Sequence, residues 1–247
     1  MFELSKSKSP TVAVFGLGNN GCRAVDDLQK HSMTGITYRY ADTSEHIRGQ
    51  LTGIHLAFIL VDAEDYTNLN LSRLVSNMQD VMEISTIVLD TAQTNTNVLM
   101  NTVKFIADLI INPGLINLDS ADVRTMMPTH NTLAVLGSGQ AHGEDRAIKA
   151  AQAAIASTSA EANYLMSAGT CLISMEGNVD MTLHEFESIM NEVATFMRPD
   201  VNFMMATVFN PKAQDKCIVT ILTTNFINPS ETALGINKAN LLFLLGA

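Results

Sequence analysis

Four β-rich runs in the first 90 residues, separated by helical patterns and breaks, leave this chain few ways to fold. They are TVAVFG at 11–16, residues 36–41, HLAFILV at 55–61 and STIVLD at 85–90. The third is continuously apolar, as a strand buried on both faces must be. AVDDLQK after the first run is helix-like, and Leu69, Leu71, Leu74, Val75 and Met78 give residues 67–81 one apolar helical face. Strands alternating with helices predict a parallel sheet covered on both sides. A helix from Thr96 to Ile111 follows, apolar over more than one face and therefore expected between two layers. The rhythm then changes to strand 131–139, helix 144–156, strand 168–176 and helix 182–196. Strands 202–209 and 216–224 come last, joined by FNPKAQDK and expected to form a hairpin. The second half is thus α+β with a mixed sheet. The closing NKANLLFLLGA is apolar after a polar stretch, which predicts docking on the body or on a partner.

A chain of 247 residues can bury a substantial core as one large domain or two small ones. A net charge of −10 argues against nucleic acid or an anionic membrane as the principal partner. Cys22, Cys171 and Cys217 are odd in number and widely spaced, so neither a disulfide framework nor a zinc site is expected, and they fit a reducing cytosol. MFELSKSKSP lacks the apolar stretch of a signal peptide, and no run approaches the ~18 apolar residues of a membrane span. No metal site is expected. His31, His46, His55, His130, His142 and His184 form no recognisable catalytic pair. Met126-Met127 and Met204-Met205 read as core fillers at element ends. Glu144 and Asp145 read as the acidic first turn of an Ala-rich helix, and Arg124 and Arg146 as interface charges.

VAVFGLGNNG places Gly16, Gly18 and Gly21 between a strand and a helix, with Asp42 at the end of the second strand. This is the dinucleotide spacing: glycines for a tight turn, a helix N-terminus for pyrophosphate and an acid for ribose. It gives a nicotinamide-dependent oxidoreductase as one reading, although no Tyr-x-x-x-Lys accompanies it. The alternative is that the glycines serve the turn alone.

The second motif is PGLINLDSADVRTMM at 113–127, with Asn117, Asp119 and Asp122 where a loop meets a helix. By its residues this is a helix start. Pro113-Gly114 break the preceding helix, Asp119 accepts a backbone N–H, and Asp122 adds charge at the positive end of the dipole. NLDSADVRTMM, together with GSGQAHGEDRAIKAAQAAIAS at 137–157, also resembles FtsZ, the bacterial cell-division tubulin homologue. The resemblance runs from Thr11 to about Phe226 and includes GTCLISMEGNVDMTLHEFESIMNEV. It implies a truncated tubulin/FtsZ-like fold of class α/β: a reduced Rossmann-type nucleotide-binding-like domain (1–93), a central helix (94–111), an FtsZ-like α+β mixed-sheet domain (112–228) and a tail (229–247). It further implies that Asn117, Asp119 and Asp122 act in trans, positioning the water that attacks a nucleotide held by a neighbouring subunit.

The departures from the family pattern decide what else to expect. Gly16, Gly18, Asn19, Asn20 and Gly21 stand where the family has G-x-G-G-G-G-N and read as a remnant nucleotide loop, with Cys22 and Arg23 replacing small residues or Asn. YADTSEHI at 40–47 resembles the family's N-T-D-A-x-x-L, with Asp42 for Asn and Ser44 for Asp. The segment carrying the γ-phosphate-sensing loop is missing after Gln50, and only AQTNT links the fourth strand to the central helix, whose guanine-contacting Asp is matched by Asn97. Above all, VDAEDYTN (61–68) replaces the G-G-G-T-G-T-G phosphate loop. That exchange removes a cradle of backbone N–H groups and brings Asp62, Glu64 and Asp65 towards the phosphates. Each like-charge pair a few ångström apart costs about 4 kcal/mol at an effective dielectric of 20. The expectation is a pseudo-GTPase with no tightly bound cofactor: a cytoplasmic cell-division protein at the division site that docks on FtsZ through residues 112–122 and caps or modulates its filaments. The alternative is a divergent GTPase with a reduced pocket that self-assembles or co-polymerises with FtsZ.

Overall fold

The computed structural model describes residues 11–31, 33–92, 94–112, 114–126, 132–158, 166, 168–226 and 241–244. The first half contains β1 (Val12–Leu17), α1 (Gly18–Lys30), β2 (Ile36–Ala41), α2 (Ser44–Arg48), β3 (Leu56–Val61), α3 (Ala63–Asn68), α4 (Leu71–Asp80), β4 (Ser85–Asp90), α5 (Thr96–Ile111) and α6 (Ser120–Met126). The second half contains β5 (Thr132–His142), α7 (Arg146–Ser157), β6 (Thr170–Gly177), α8 (Leu183–Ala194), β7 (Asn202–Phe209), β8 (Lys216–Phe226) and β9 (Leu241–Leu244).

β1 to β4 pair in parallel in the order β2-β1-β3-β4, as strand–helix alternation requires. The two-residue period of each strand divides the core. Val12 and Val14 point to one face with Phe58 and Leu60, while Ala13, Phe15 and Leu17 point to the other with Ile59 and Val61. The first face is covered by α1 and α5, and the second by α2 and α4. The single helix expected over 67–81 is instead two, because Asn70 takes a left-handed conformation (φ 49) between them. Asparagine adopts that conformation at low cost, and the break separates α4 from α3, whose capping residue Asp62 accepts from Asn20 after the glycine turn.

Beyond α5 the strands continue one nine-stranded sheet in the order β2-β1-β3-β4-β9-β5-β8-β6-β7. The expected β7–β8 hairpin does not form. β6 lies between these strands, parallel to β7 and antiparallel to β8. A short connection made them look like neighbours, but it arches past β6 and is tied to it. The Asn210 N–H donates to Gly177 O at 2.8 Å, and Asn210 Nδ2 donates to Glu176 Oε1 at 2.6 Å. Of the C-terminal tail, residues 241–244 are described and dock on the body: β9 runs antiparallel to both β4 and β5 and joins the two halves of the sheet. α5 supplies the other join, burying Val98, Leu99, Val103, Ile106 and Ile110 in a core shared with β1, β3, β4, β5, β7 and β8. Met126 and Met204 belong to that core and Met205 packs against the α7–α8 core, as fillers should; Met127 lies outside the described residues.

α7 and α8 cover the opposite face of the second half. α7 begins at Arg146, so Glu144 and Asp145 precede the helix rather than occupying its first turn, and Asp145 is left-handed (φ 58). Arg146 is not an interface charge. It is 8% exposed and donates to Glu185 Oε1 at 2.7 Å and to Asp180 Oδ2 at 3.0 Å, clamping α7 to the start of α8. Thr182 and Glu185 cap α8 reciprocally, so one carboxylate serves both the ion pair and the helix end. The side chain of Arg124, like residues 127–130, lies outside the described set.

This clamp has a pH signature. Burial acts to raise the Glu185 pKa, but the hydrogen bond from Arg146 and the Thr182 backbone N–H outweigh it and hold the carboxyl below its usual value. A depressed folded-state pKa gives stability that is present above the unfolded pKa and is lost as pH falls through the folded one. Glu185→Gln should therefore cost about 2 kcal/mol at pH 7 and progressively less below about pH 4. Urea unfolding at both pH values checks it, and an equal cost at each would show that the ion pair contributes nothing.

Candidate functional site

The glycine turn connects β1 to α1 at the C-terminal edge of the parallel strands. Gly18 is left-handed (φ +63), a conformation that glycine adopts without penalty. A Cβ on Gly21 would overlap Leu60 O, so this glycine lets α1 pack directly on β3. A Cβ on Gly16 would lie 2.7 Å from Gly21 O. All three glycines thus have a conformational or packing reason that involves no ligand.

The acids of VDAEDYTN occupy the space in front of the turn. Asp65 Oδ2 lies where a Cβ of Gly18 would be. Asp62 uses Oδ1 to accept the Asp65 N–H at 2.9 Å, capping α3, and Oδ2 to accept from Asn20 Nδ2 at 3.1 Å. The start of α1, where an anion would ordinarily sit, therefore faces the chain's own carboxylates. Asn19, Asn20 and Glu64 are exposed. Asp42 follows β2 at the same edge, exposed and 3.9 Å from His46 Nδ1. Asn97 is exposed in the first turn of α5, where Asn95 Oδ1 accepts its backbone N–H at 2.9 Å.

Asn117, Asp119 and Asp122 lie at the other end of α5. Its 16 residues span about 24 Å, and its last residue, Ile111, packs against Gly35 at the entry to β2, the N-terminal edge of the strands. The loop is built firmly. Asn117 Oδ1 accepts the Gly114 N–H at 2.7 Å. The Ile116 N–H donates to Thr207 Oγ1 at 2.9 Å, and the Thr207 N–H returns to Ile116 O at 2.9 Å, fixing the loop to β7. Asp119 Oδ1 accepts the Asp122 N–H and Asp122 Oδ2 accepts the Asp119 N–H, each at 2.9 Å. This reciprocal cap confirms Asp119 as the residue that opens α6. Asn117 and Asp119 are exposed, Asp122 is half-buried and Leu115 beside them is 51% exposed.

The two sets of predicted residues are therefore not brought together within one chain. The acidic loop has no glycine turn opposite it, and the glycine turn has its own acids against it. Sequence reasoning missed Thr207, which holds the acidic loop from 91 positions away in a strand with no local signal of that contact. It also missed the contact between Asp65 and Gly18, although acids in a segment that replaces a phosphate loop were the available signal. The cleft between α5 and the second half of the sheet, lined by Lys104, Asp108, Ser138, Ser174, Glu176 and Thr220 among others, lies apart from both sets.

Gly18→Ala should lower stability by about 1–2 kcal/mol through the left-handed backbone and the overlap with Asp65. Asp65→Ala in the same chain should recover the steric part only. Urea unfolding of the two variants measures this, and no loss on Gly18→Ala would mean that the turn is looser than described.

The FtsZ family C-terminal domain matches residues 132–227. Over 146 residues, 57% of the chain, it is 35% identical to the cell division protein FtsZ of Magnetospirillum gryphiswaldense, covering 26% of that protein. It is 36% identical over 152 residues to FtsZ of Caulobacter vibrioides, covering 30% of it. With FtsZ of Coxiella burnetii the identity is 40% over 128 residues, covering 33% of that protein. The matches thus span about a quarter to a third of these relatives. Among solved structures, a point mutant of M. jannaschii FtsZ aligns with a TM-score of 0.62 and 16% identity over 94% of this chain and 95% of that one. An empty M. jannaschii FtsZ dimer gives 0.61 and 15% over 96% and 93%. At such identities these structures speak for the fold alone, and the homology rests on the sequence matches. Residues 132–227 match the FtsZ-family C-terminal domain, the chain is similar in sequence to FtsZ over somewhat more than half its length, and its fold is tubulin/FtsZ-like.

Proposed function

We propose that this chain is a cytoplasmic cell-division protein that does not hold GTP tightly and docks on FtsZ through residues 112–122, capping or weakening filaments at the division site. The observation that carries the reading is the asymmetry of the molecule. At one end the anion-binding position before α1 is taken by Asp65, with Asp62 fixed beside it. At the other, Asn117, Asp119 and Asp122 are held ready on a loop tied to β7. A molecule with one working end can follow a nucleotide-bearing subunit, but it offers the next subunit no nucleotide. Filament ends are few, so an amount well below that of FtsZ is enough to matter.

The first test is nucleotide binding. Calorimetric titration with GTP and magnesium should show no saturable binding tighter than about 10 μM, equivalent to about −7 kcal/mol. Tight saturable binding would sink this reading and promote a divergent GTPase that assembles by itself or with FtsZ.

The second test concerns the partner. Added to FtsZ polymerising with GTP, the chain should lower sedimentable polymer at substoichiometric ratios and raise phosphate release from the FtsZ subunit that it contacts. The carboxylates of Asp119 and Asp122 would orient and polarise the attacking water, an effect of about 10²–10⁴ for general-base catalysis. Replacing both by Asn preserves the acceptor oxygens that cap α6 but removes the charge. The double variant should lose the stimulated phosphate release with a smaller loss of binding. Unchanged polymer mass and turnover at every ratio would eliminate the docking model.

A further inference from the structure

We propose that the cavity between α2 and α4 binds a small phosphate-type dianion held by Arg48 and Arg73. This cavity of ≈ 290 Å³ is lined by Ser44, Glu45, Arg48, Asn70, Arg73 and Leu74. None of these residues belongs to the glycine turn or to the 112–122 loop, so the site is independent of the proposed docking on FtsZ. Its chemistry follows from what the two guanidinium groups lack. Arg39 donates to Gln50 O, Arg146 is clamped by Glu185 and Asp180, and Arg198 pairs with Asp200. Arg48 and Arg73 make no hydrogen bond or ion pair among the described residues. In a chain with 25 acids against 15 bases, two guanidinium groups without an acid partner and facing one cavity are a local exception to the acidic surface.

Two guanidinium groups in one cavity repel each other, and a doubly charged anion between them turns that repulsion into two attractions. Their planar, multi-donor form suits the oxygens of phosphate, and bonds to charged acceptors of this kind are the stronger class. Ser44 and Asn70 supply neutral polar groups to the same wall. Glu45 is the one acid in it and leaves the cavity with a net charge of +1. It disfavours ligands that carry additional carboxylate or phosphate groups on its side. Among the described residues no aromatic side chain lines the cavity, so none of them offers a nucleobase a stacking surface. The ligand class is therefore inorganic phosphate or a small phosphomonoester rather than a nucleotide recognised through its base.

Titration with inorganic phosphate at low ionic strength, followed by ³¹P line broadening and by calorimetry, tests the site. Wild type should show saturable binding that weakens with added salt. Arg48→Gln and Arg73→Gln should each weaken it about tenfold or more, and the double variant should abolish it. These side chains are exposed and make no hydrogen bond or ion pair among the described residues, and circular dichroism of each variant checks that it folds. Arg23→Gln, at an exposed arginine on α1 beside the glycine turn, should leave binding unchanged. Glycerol phosphate should bind like phosphate, and GMP no more tightly than glycerol phosphate. No saturation by about 10 mM phosphate, a loss that follows Arg23→Gln instead, or markedly tighter binding of GMP would each overturn the proposal.

Discussion

Burial of α5 is the constraint on which both ends of the molecule depend. This helix is apolar on more than one face, so it is stable only between layers, and it lies against strands from both halves of the sheet. One end then falls at the edge where the glycine turn lies, and the other delivers the chain to Pro113-Gly114 and the acidic loop. Each feature is also tied to the sheet at its own edge: α1 through Gly21 on β3, the loop through Ile116 on β7. The separation of the two ends is therefore a property of the core and not of the surface loops.

Within that frame the glycine turn and α3 form a closed local system. Asp62 caps α3, binds Asn20 and holds Asp65 over Gly18. The positive end of α1 has no side-chain cap of its own and no acid in its first turn. Carboxylates delivered from α3 complement it electrostatically, as a bound anion would. That contact and the left-handed backbone account for glycine at position 18, while Gly16 and Gly21 answer to backbone packing against Gly21 O and Leu60 O. An incoming phosphate would have to displace a carboxylate whose segment is held by a helix cap and by Asn20.

The legible parts of the sequence were those governed by local periodicity. α5 and β7 fall at the predicted residues, and the parallel order of the first half follows from strand–helix alternation. What escaped was non-local. β7 and β8 are consecutive and closely connected, yet β6 separates them, because pairing is set by which faces must be buried rather than by loop length. The break at Asn70 was invisible to an apolar pattern that continues across it. Arg146 looked like a surface charge because its partners, Asp180 and Glu185, come from a different helix and the turn before it. At the acidic loop the local chemistry of Asp119 and Asp122 was readable as a helix cap, while its anchorage to Thr207 was not.

The caps on α6 also bear on what this loop can do. Two acids that accept each other's backbone N–H are held in fixed rotamers before any partner arrives, so little side-chain entropy is lost on docking. In the proposed docking, a charged carboxylate positioned by its own helix start, on a loop fixed to a sheet, would be placed to orient a water molecule in a neighbouring subunit. The chain's own glycine turn lies with Asp62 and Asp65 at the far end of α5, so within one molecule the loop and the turn do not meet, and the proposed role of the loop requires contact with another subunit.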